Sequence, residues 1–406
     1  MRVMILDTVH GCRAVAAPFL ERGDDVTAVD VYHVTPEEDL DELRAMGARV
    51  LGEAPEERFD LAVMPCHCPD AFIGRASCDR RIWFSRAVKE FIRDDRFRIE
   101  VTGVKGKTSA CYVLAHILDA SGRRVLLHTS RGYGPYRGGE HRIEGAMSIA
   151  PPSLLALPDG DYDAVVCEVS LGGSGRADIA CITNLTEDYG IAKGTRRAEE
   201  AKRDILTDRG ISIVKADEAG IWSRHAGGRP LRTYGGRVSV IGTPAFGEPL
   251  RVSVDYRGTT EAELGGGYLA LQYLEAIDLA LEVCDAMDIP QEDVVSGLES
   301  FQGVPGRGRI SVEDGVRRLR DRNPGVSHMS IDWTLGCLQE MGALDGAVLI
   351  VDPVSRKVCD KLDRDAIEEV CGRYGVPLIV TPGNGEAAEV PEGARTVIEM
   401  TKEGYQ

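Results

Sequence analysis

The sequence predicts an α/β protein of three consecutive units, the outer two doubly wound and the central one built around a phosphate-binding loop. Three observations predict this. Apolar runs of strand length alternate with helical patterns from the first residues onward; a loop rich in glycine and lysine interrupts them at 100–109; a second glycine-rich break follows at 302–309.

At 406 residues the chain exceeds one ordinary core. Hydrophobic residues make up 43% but aromatics only 6%, and 46 glycines suit many strand-to-helix turns. A net charge of −17 disfavours nucleic-acid backbone and anionic membrane surfaces as partners, because both are bound through clustered cations. Residues 1–7 read as a strand rather than an export signal, and no uncharged run approaches the roughly 20 residues that span a bilayer. A cytoplasmic location is the expectation. The 11 cysteines lack framework spacing and read as reduced thiols. Cys66-His67-Cys68 has no second ligand pair and reads as a turn after a strand rather than a structural zinc site.

In the first unit, 1–96, apolar runs at 3–6, 25–29 and 61–64 are separated by helical patterns, and His10-Gly11 directly follows the first run. A ligand could sit at that turn, where parallel strands end. The second unit, 97–305, repeats the rhythm at 98–102, 124–128, 164–167, 179–183 and 211–214, with an amphipathic helix at 109–121. The break Gln302-Gly-Val-Pro-Gly-Arg-Gly-Arg then acts as a hinge or linker. In the third unit, 306–406, strands are expected at 347–351 and 377–380 and helices at 329–341 and 363–374.

The segment Glu100-Val-Thr-Gly-Val-Lys-Gly-Lys-Thr-Ser follows a strand and opens a helix, the setting of a phosphate loop. Thr102, Gly103, Val104, Lys105, Gly106, Lys107, Thr108 and Ser109 would surround an anion with backbone N–H groups and the positive end of the helix. Lys107 supplies a point charge and the Thr108 hydroxyl can hold magnesium. The spacing departs from the common form, whose first glycine would fall at Val101. Glu168, at the end of another strand, is a candidate magnesium ligand, a solvated acid being the competing reading. The run Asn184-Leu-Thr-Glu-Asp-Tyr adds a polar cluster at a third strand end, so three strand ends are expected to converge.

These motifs, in this order, resemble the Mur ligases and their relative folylpolyglutamate synthase: Thr102-Gly-Val-Lys-Gly-Lys-Thr for the loop, Glu168-Val-Ser for the metal glutamate, Thr183-Asn184 with Asp188, and Ala201-Lys202. The resemblance implies a three-domain Mur-ligase-like architecture, with Rossmann-like N- and C-terminal domains and a central P-loop ATPase domain. It also implies that ATP and Mg²⁺ are used, that Lys107, Glu168 and Lys202 are catalytic, and that Lys202 is carbamylated and joins Thr108 and Glu168 around metal. A plain surface lysine is the competing reading of Lys202. Arg307 would reach the nucleotide, Gln272 stands where the family has an adenine-contacting Asn, and Asp321-Arg-Asn-Pro retains part of a C-terminal nucleotide motif. Tyr189 stands in place of the histidine of the family's Asp-His pair.

Asp7-Thr-Val-His-Gly, His67-Cys-Pro-Asp-Ala-Phe, Leu127-His-Thr-Ser-Arg-Gly, Ser148-Ile-Ala-Pro-Pro and Arg322-Asn-Pro-Gly-Val-Ser-His resemble, over nearly the whole chain, the Mur-type ligases of coenzyme F(430) biosynthesis in methanogenic archaea. That branch implies a small-molecule tetrapyrrole substrate, nickel-containing seco-F(430), with nickel present only as part of the substrate. A propionate would be phosphorylated and then closed onto a carbon of the same macrocycle. Candidate substrate contacts are His10, His67, His128 and Arg131, with further cations from Arg75, Arg80, Arg81, Arg86, Arg137 and Arg142; hydrogen-bonded loop histidines are the competing reading of His67 and His128, and solvated surface arginines that of the cluster from Arg75 to Arg86. Two other readings stay open: an amide-forming Mur-type ligase, and a nucleotide-binding regulatory module without ligase chemistry.

Overall fold

A computed structural model describes residues 1–186, 189–353, 362–383 and 388–402. Its first sheet is five-stranded and wholly parallel, built from β1 (Arg2–Leu6), β2 (Asp25–Val29), β3 (Arg49–Leu51), β4 (Arg58–Met64) and β5 (Ser77–Trp83) in the order β3-β2-β1-β4-β5. Helices α1 (Cys12–Glu21), α2 (Glu37–Ala45) and α3 (Phe84–Phe91) accompany it. β1 is central, and Val3 to Leu6 are wholly buried, which is why it reads as an unbroken apolar run rather than an alternating one. β5 was not expected from the sequence. It lies at the sheet edge, where Arg80 and Arg81 stay exposed and charge replaces an apolar signature.

The second sheet has eight strands in the order β15-β14-β11-β6-β10-β7-β8-β9. Its members are β6 (Phe97–Thr102), β7 (Val125–Thr129), β8 (Gly132–Arg137), β9 (Glu140–His141), β10 (Ala164–Glu168), β11 (Ile179–Ile182), β14 (Ile211–Lys215) and β15 (Leu231–Tyr234), while β12 (Gly190–Ile191) and β13 (Arg196–Arg197) form a separate small hairpin. The five strands expected here all form, within a residue or two of the sequence-derived bounds. After β6 comes α4 (Lys107–Ala120), and after β13 and β14 come α5 (Ala198–Lys202) and α6 (Ala219–Ala226). The expectation of an amphipathic helix from 109 is corrected: α4 starts at Lys107, and Ala110 to Leu118 are buried on every face.

By internal contacts the chain divides into two compact units, Met1–Lys107 with Arg123–Tyr136 and His141–Tyr234 in one, and Thr108–Gly122 with Arg137–Glu140 and the chain from Gly235 onward in the other. Within the second unit, Gly297 lies against Ile117 of α4, where a Cβ would come within 3.0 Å of backbone. This unit holds an antiparallel sheet of β16 (Val238–Val240), β17 (Leu250–Asp255) and β18 (Thr259–Leu264), with helices α7 (Leu274–Ala286) and α8 (Gln291–Ser300). Its last sheet has the order β19-β20-β23-β21-β22, from β19 (Arg309–Glu313), β20 (Val316–Arg322), β21 (Ala347–Asp352), β22 (Leu378–Val380) and β23 (Thr396–Thr401). It is parallel except for the β19–β20 pair, and α9 (His328–Glu340) and α10 (Arg364–Tyr374) belong to it. Both helices match their sequence-derived spans to within a residue. Among the described residues no helix is long and apolar enough to cross a membrane.

Candidate functional site

The loop at 103–106 leaves β6 between its two neighbours, β10 and β11, whose register places Glu168 opposite Val101 and Ile182 opposite Thr102. Three strand ends therefore meet, as the sequence suggested. Gly103 has φ 143°, and a Cβ there would fall 1.9 Å from the Thr183 hydroxyl, so only glycine fits. β11 fastens the loop: Val104 N–H donates to the Asn184 carbonyl (2.9 Å), Lys105 N–H to Asn184 Oδ1 (3.1 Å), and Thr183 Oγ1 to the Lys105 carbonyl (2.5 Å). Asn184 is thus a loop anchor, and Thr183, its neighbour in the same motif, is the residue packed against Gly103. Lys107 Nζ folds back over the loop, 3.3 Å from the Gly103 carbonyl.

Lys202 ends the short helix α5 and is wholly buried, which corrects its competing reading as a plain surface lysine. Its Nζ donates to the carbonyls of Gly103 (2.8 Å) and Ser170 (2.9 Å), and Thr102 Oγ1 donates to the same Ser170 oxygen (3.2 Å). Glu168 is only 3% exposed and accepts from Ser130 N–H at 3.1 Å, so its reading as a solvated acid is corrected as well. Beside it His128, buried on β7, has its pKa pushed down by burial, opposed by the charge of Glu168. Oxygen donors at Glu168 and a glycine cradle beside Lys107 are the ligand chemistry that magnesium and phosphate require, so the residues fit both groups. Asp188 lies outside the described residues, and Tyr189 is exposed.

In the second unit, Thr108 is buried and its hydroxyl accepts from Arg307 Nη2 at 3.1 Å, so the linker arginine does reach the first turn of α4. Asp321 sits on β20, where burial raises its pKa against the hydrogen bond from Asn323 (2.8 Å) and the charge of Arg307. Gln272 Nε2 donates to Thr334 Oγ1 of α9 at 2.8 Å.

A small cleft of about 80 Å³ opens in the first unit. His10, His67, Trp83, Ser148, Pro151 and Ser170 are among its walls. Three of the segments singled out in the sequence thus meet at one place. His128 and Arg131 do not line the cleft, and neither do Arg75, Arg80, Arg81, Arg86, Arg137 or Arg142. Arg75 is 83% exposed beside Glu56, and Arg86 reaches Asp204 at 3.3 Å, so the first arginine cluster is a solvated and structural one. Cys66-His67-Cys68 is the expected turn, and burial pushes both thiols up to about 12, which keeps them protonated. The sequence reading missed Asp7 as a site residue. Its Oδ2 lies 2.5 Å from His10 Nδ1 and 3.7 Å from His67 Nε2. Burial would raise the Asp7 carboxyl, but the two histidines outweigh it and hold the group well below the usual carboxylate range.

Residues 101–236 match the Mur ligase middle domain. The chain is 26% identical to the coenzyme F(430) synthetase of Methanosarcina acetivorans, across 98% of this chain and 96% of that protein. It is 24% identical to the coenzyme F(430) synthetase of Methanocaldococcus jannaschii, across 93% and 89%. The MurF ligase from Thermotoga maritima, solved in complex with ADP, superposes with a TM-score of 0.58 at 16% identity, covering 98% of this chain and 93% of that one.

Proposed function

We propose that this chain is an ATP-dependent ligase of the Mur type, which activates a propionate carboxylate of nickel-containing seco-F(430) and closes a carbocyclic ring by intramolecular carbon–carbon bond formation. The observation that carries this reading is the position of Ser170. It lines the cleft, and its carbonyl accepts the Lys202 ammonium, which in turn holds the Gly103 carbonyl of the phosphate loop. An acid entering the cleft is therefore two hydrogen bonds from the loop. Three of the segments that resemble the F(430) branch, those carrying His10, His67 and Ser148, contribute to its walls.

In the proposed mechanism a carboxylate oxygen attacks the γ-phosphorus of ATP, the bond to the β-phosphate oxygen breaks, and ADP leaves. A carbon of the same macrocycle then attacks the acyl carbon, the bond to phosphate breaks, and that carbon loses its proton. The macrocycle loses the elements of one water. Lys107, at the loop, balances negative charge that develops on the transferring group. As an ammonium, Lys202 keeps the Gly103 carbonyl from turning toward the phosphates; carbamylation would replace that cation by a carbamate, with one N–H left to donate and an anionic oxygen for magnesium. Glu168 and Thr108 would hold Mg²⁺, which supplies charge neutralisation at the phosphates. Arg307, Asp321, Gln272 and Asn184 complete the proposed nucleotide contacts. The cleft wall holds the activated chain folded toward its acceptor carbon, an effect worth about 7–11 kcal/mol when the geometry is good.

We read the chain as three domains, 1–96, 97–305 and 306–406, because each of the sheets lies wholly inside one of these spans. The test is incubation with seco-F(430), ATP and Mg²⁺ and no amine, following phosphate release and macrocycle mass. Phosphate release with loss of one water equivalent supports ring closure. Release only when an amino acid is added points to the amide-forming alternative, and ATP binding without release for any acid leaves a regulatory module.

A further inference from the structure

The first sheet changes direction between β1 and β4, since the chain passes from β1 outward to β2 and β3 on one side and then to β4 and β5 on the other. Ligands of open α/β sheets bind beyond the strand ends at such a point. Asp7 and His10 follow β1, and His67 follows β4. Their nearest ligand atoms lie within 4.8 Å of one another, and the rings of His10 and His67 meet edge to face with centroids 4.6 Å apart.

Ordinary ion pairing does not account for this arrangement. Oδ1 of Asp7 already accepts the backbone N–H groups of Val9 (2.7 Å) and His10 (3.2 Å), so Oδ2 alone faces the two rings. His67 Nε2 is buried, has no hydrogen-bond partner, and stands 3.7 Å from that oxygen. Asp7 itself is wholly buried with φ 84°, a conformation that costs an aspartate on the order of 1–3 kcal/mol and persists only where the surroundings impose it. The turn bearing His67 is held from behind by Arg196, which donates to the carbonyls of Cys66 (2.8 Å) and Cys68 (3.0 Å).

We propose that Asp7, His10 and His67 form a coordination site for a nitrogen-preferring divalent metal centre, nickel(II) foremost, facing the cleft that these histidines line. Two imidazoles and one carboxylate suit late first-row metals and not magnesium. Bonds of about 2.0–2.2 Å to a shared ion would set the ligand atoms roughly 3 to 3.6 Å apart, a small adjustment from the present geometry. Three protein ligands leave coordination positions open, and the open side is the cleft. The centre has two possible sources: a free cation taken by all three ligands, or the nickel of a macrocycle, which already holds four nitrogens and would take one imidazole of the cluster. The second source rests on the ring-closing function proposed above; the first stands without it.

The experiment uses the full chain stripped of metal. CoCl₂ is titrated while visible d–d absorption is followed, NiCl₂ by calorimetry, and nickel seco-F(430) by the band shift that accompanies axial ligation, all in wild type, His10→Ala and His67→Ala. One cobalt per chain, with affinity weakened more than about tenfold in either variant, supports a free-cation site. An axial shift lost in His67→Ala assigns the centre to the macrocycle. Absence of both signals in wild type, or signals unchanged in both variants, overturns the proposal. Far-UV circular dichroism checks folding, and His67→Gln replaces the alanine variant if that one unfolds. Cobalt binding that survives alongside failed macrocycle-dependent phosphate release would defeat the ring-closing reading and leave the metal site standing.

Discussion

The buried ammonium of Lys202 lies 2.8 Å from the carbonyl oxygen of Gly103, across 99 residues of sequence. A lysine at the end of a five-residue helix thereby sets the direction of the first peptide of the phosphate loop. Its other hydrogen bond, to Ser170, fixes one wall of the cleft. Loop and cleft share a single cation.

Lys202→Met should therefore destabilise the fold and abolish turnover together. Each carbonyl loses its shortest hydrogen bond and keeps a longer one, Gly103 from Lys107 Nζ (3.3 Å) and Ser170 from Thr102 Oγ1 (3.2 Å), so the cost is about 1 kcal/mol each. A urea melt should show a clearly lowered midpoint, and an unchanged midpoint would mean that the carbonyls are satisfied by other donors.

Gly103→Ala places a methyl group 1.9 Å from Thr183 Oγ1 at a φ that side chains rarely adopt. We expect a loss of about 1–3 kcal/mol in stability and weaker ADP binding. Thr183→Ala in the same chain should recover part of the stability by removing the clash. Calorimetry with ADP reads the first effect and thermal melting the second.

Lys107→Ala should lower kcat by at least about 100-fold with little change in the melting temperature, because the ammonium compensates developing charge at the loop and contributes little to packing. Wild-type turnover in this variant would contradict the loop assignment.

Arg307→Ala should weaken ADP binding, while Arg307→Lys should recover little of it, since an ammonium cannot reproduce the planar fork that reaches Thr108. Equal affinities in Arg307→Lys and wild type would remove Arg307 from the nucleotide contacts.

Acid should destabilise the first unit through His141. Burial pushes its pKa down to about 4, helped by the charges of Arg131 and His128 and opposed by the Leu127 backbone. Between about pH 4 and the unfolded value near 6.5, the unfolded chain binds a proton that the folded chain does not, so stability rises with pH in that window. Denaturation midpoints at pH 5 and pH 7 should differ less in His141→Gln than in wild type. Equal slopes in the two proteins would exclude His141 as the titrating group.

The strand-loop-helix at 97–120, the motif order running from Glu168 to Lys202, and most buried strands were legible in the residues alone, because these depend on local periodicity and on residue types that a phosphate demands. Polar edge strands such as β5 escaped it, since they carry no apolar pattern, and β23 lay beyond the reading although its residues are buried. Convergence of distant residues came from the fold. Asp7 looked like the end of a strand, and His67 like part of a cysteine turn, until the parallel pairing of β1 with β4 set both beside His10. The same holds for Thr183 against Gly103 and for Arg307 at Thr108. Such pairs are set by strand order and long-range packing, and no local spacing in the chain encodes the distance between them.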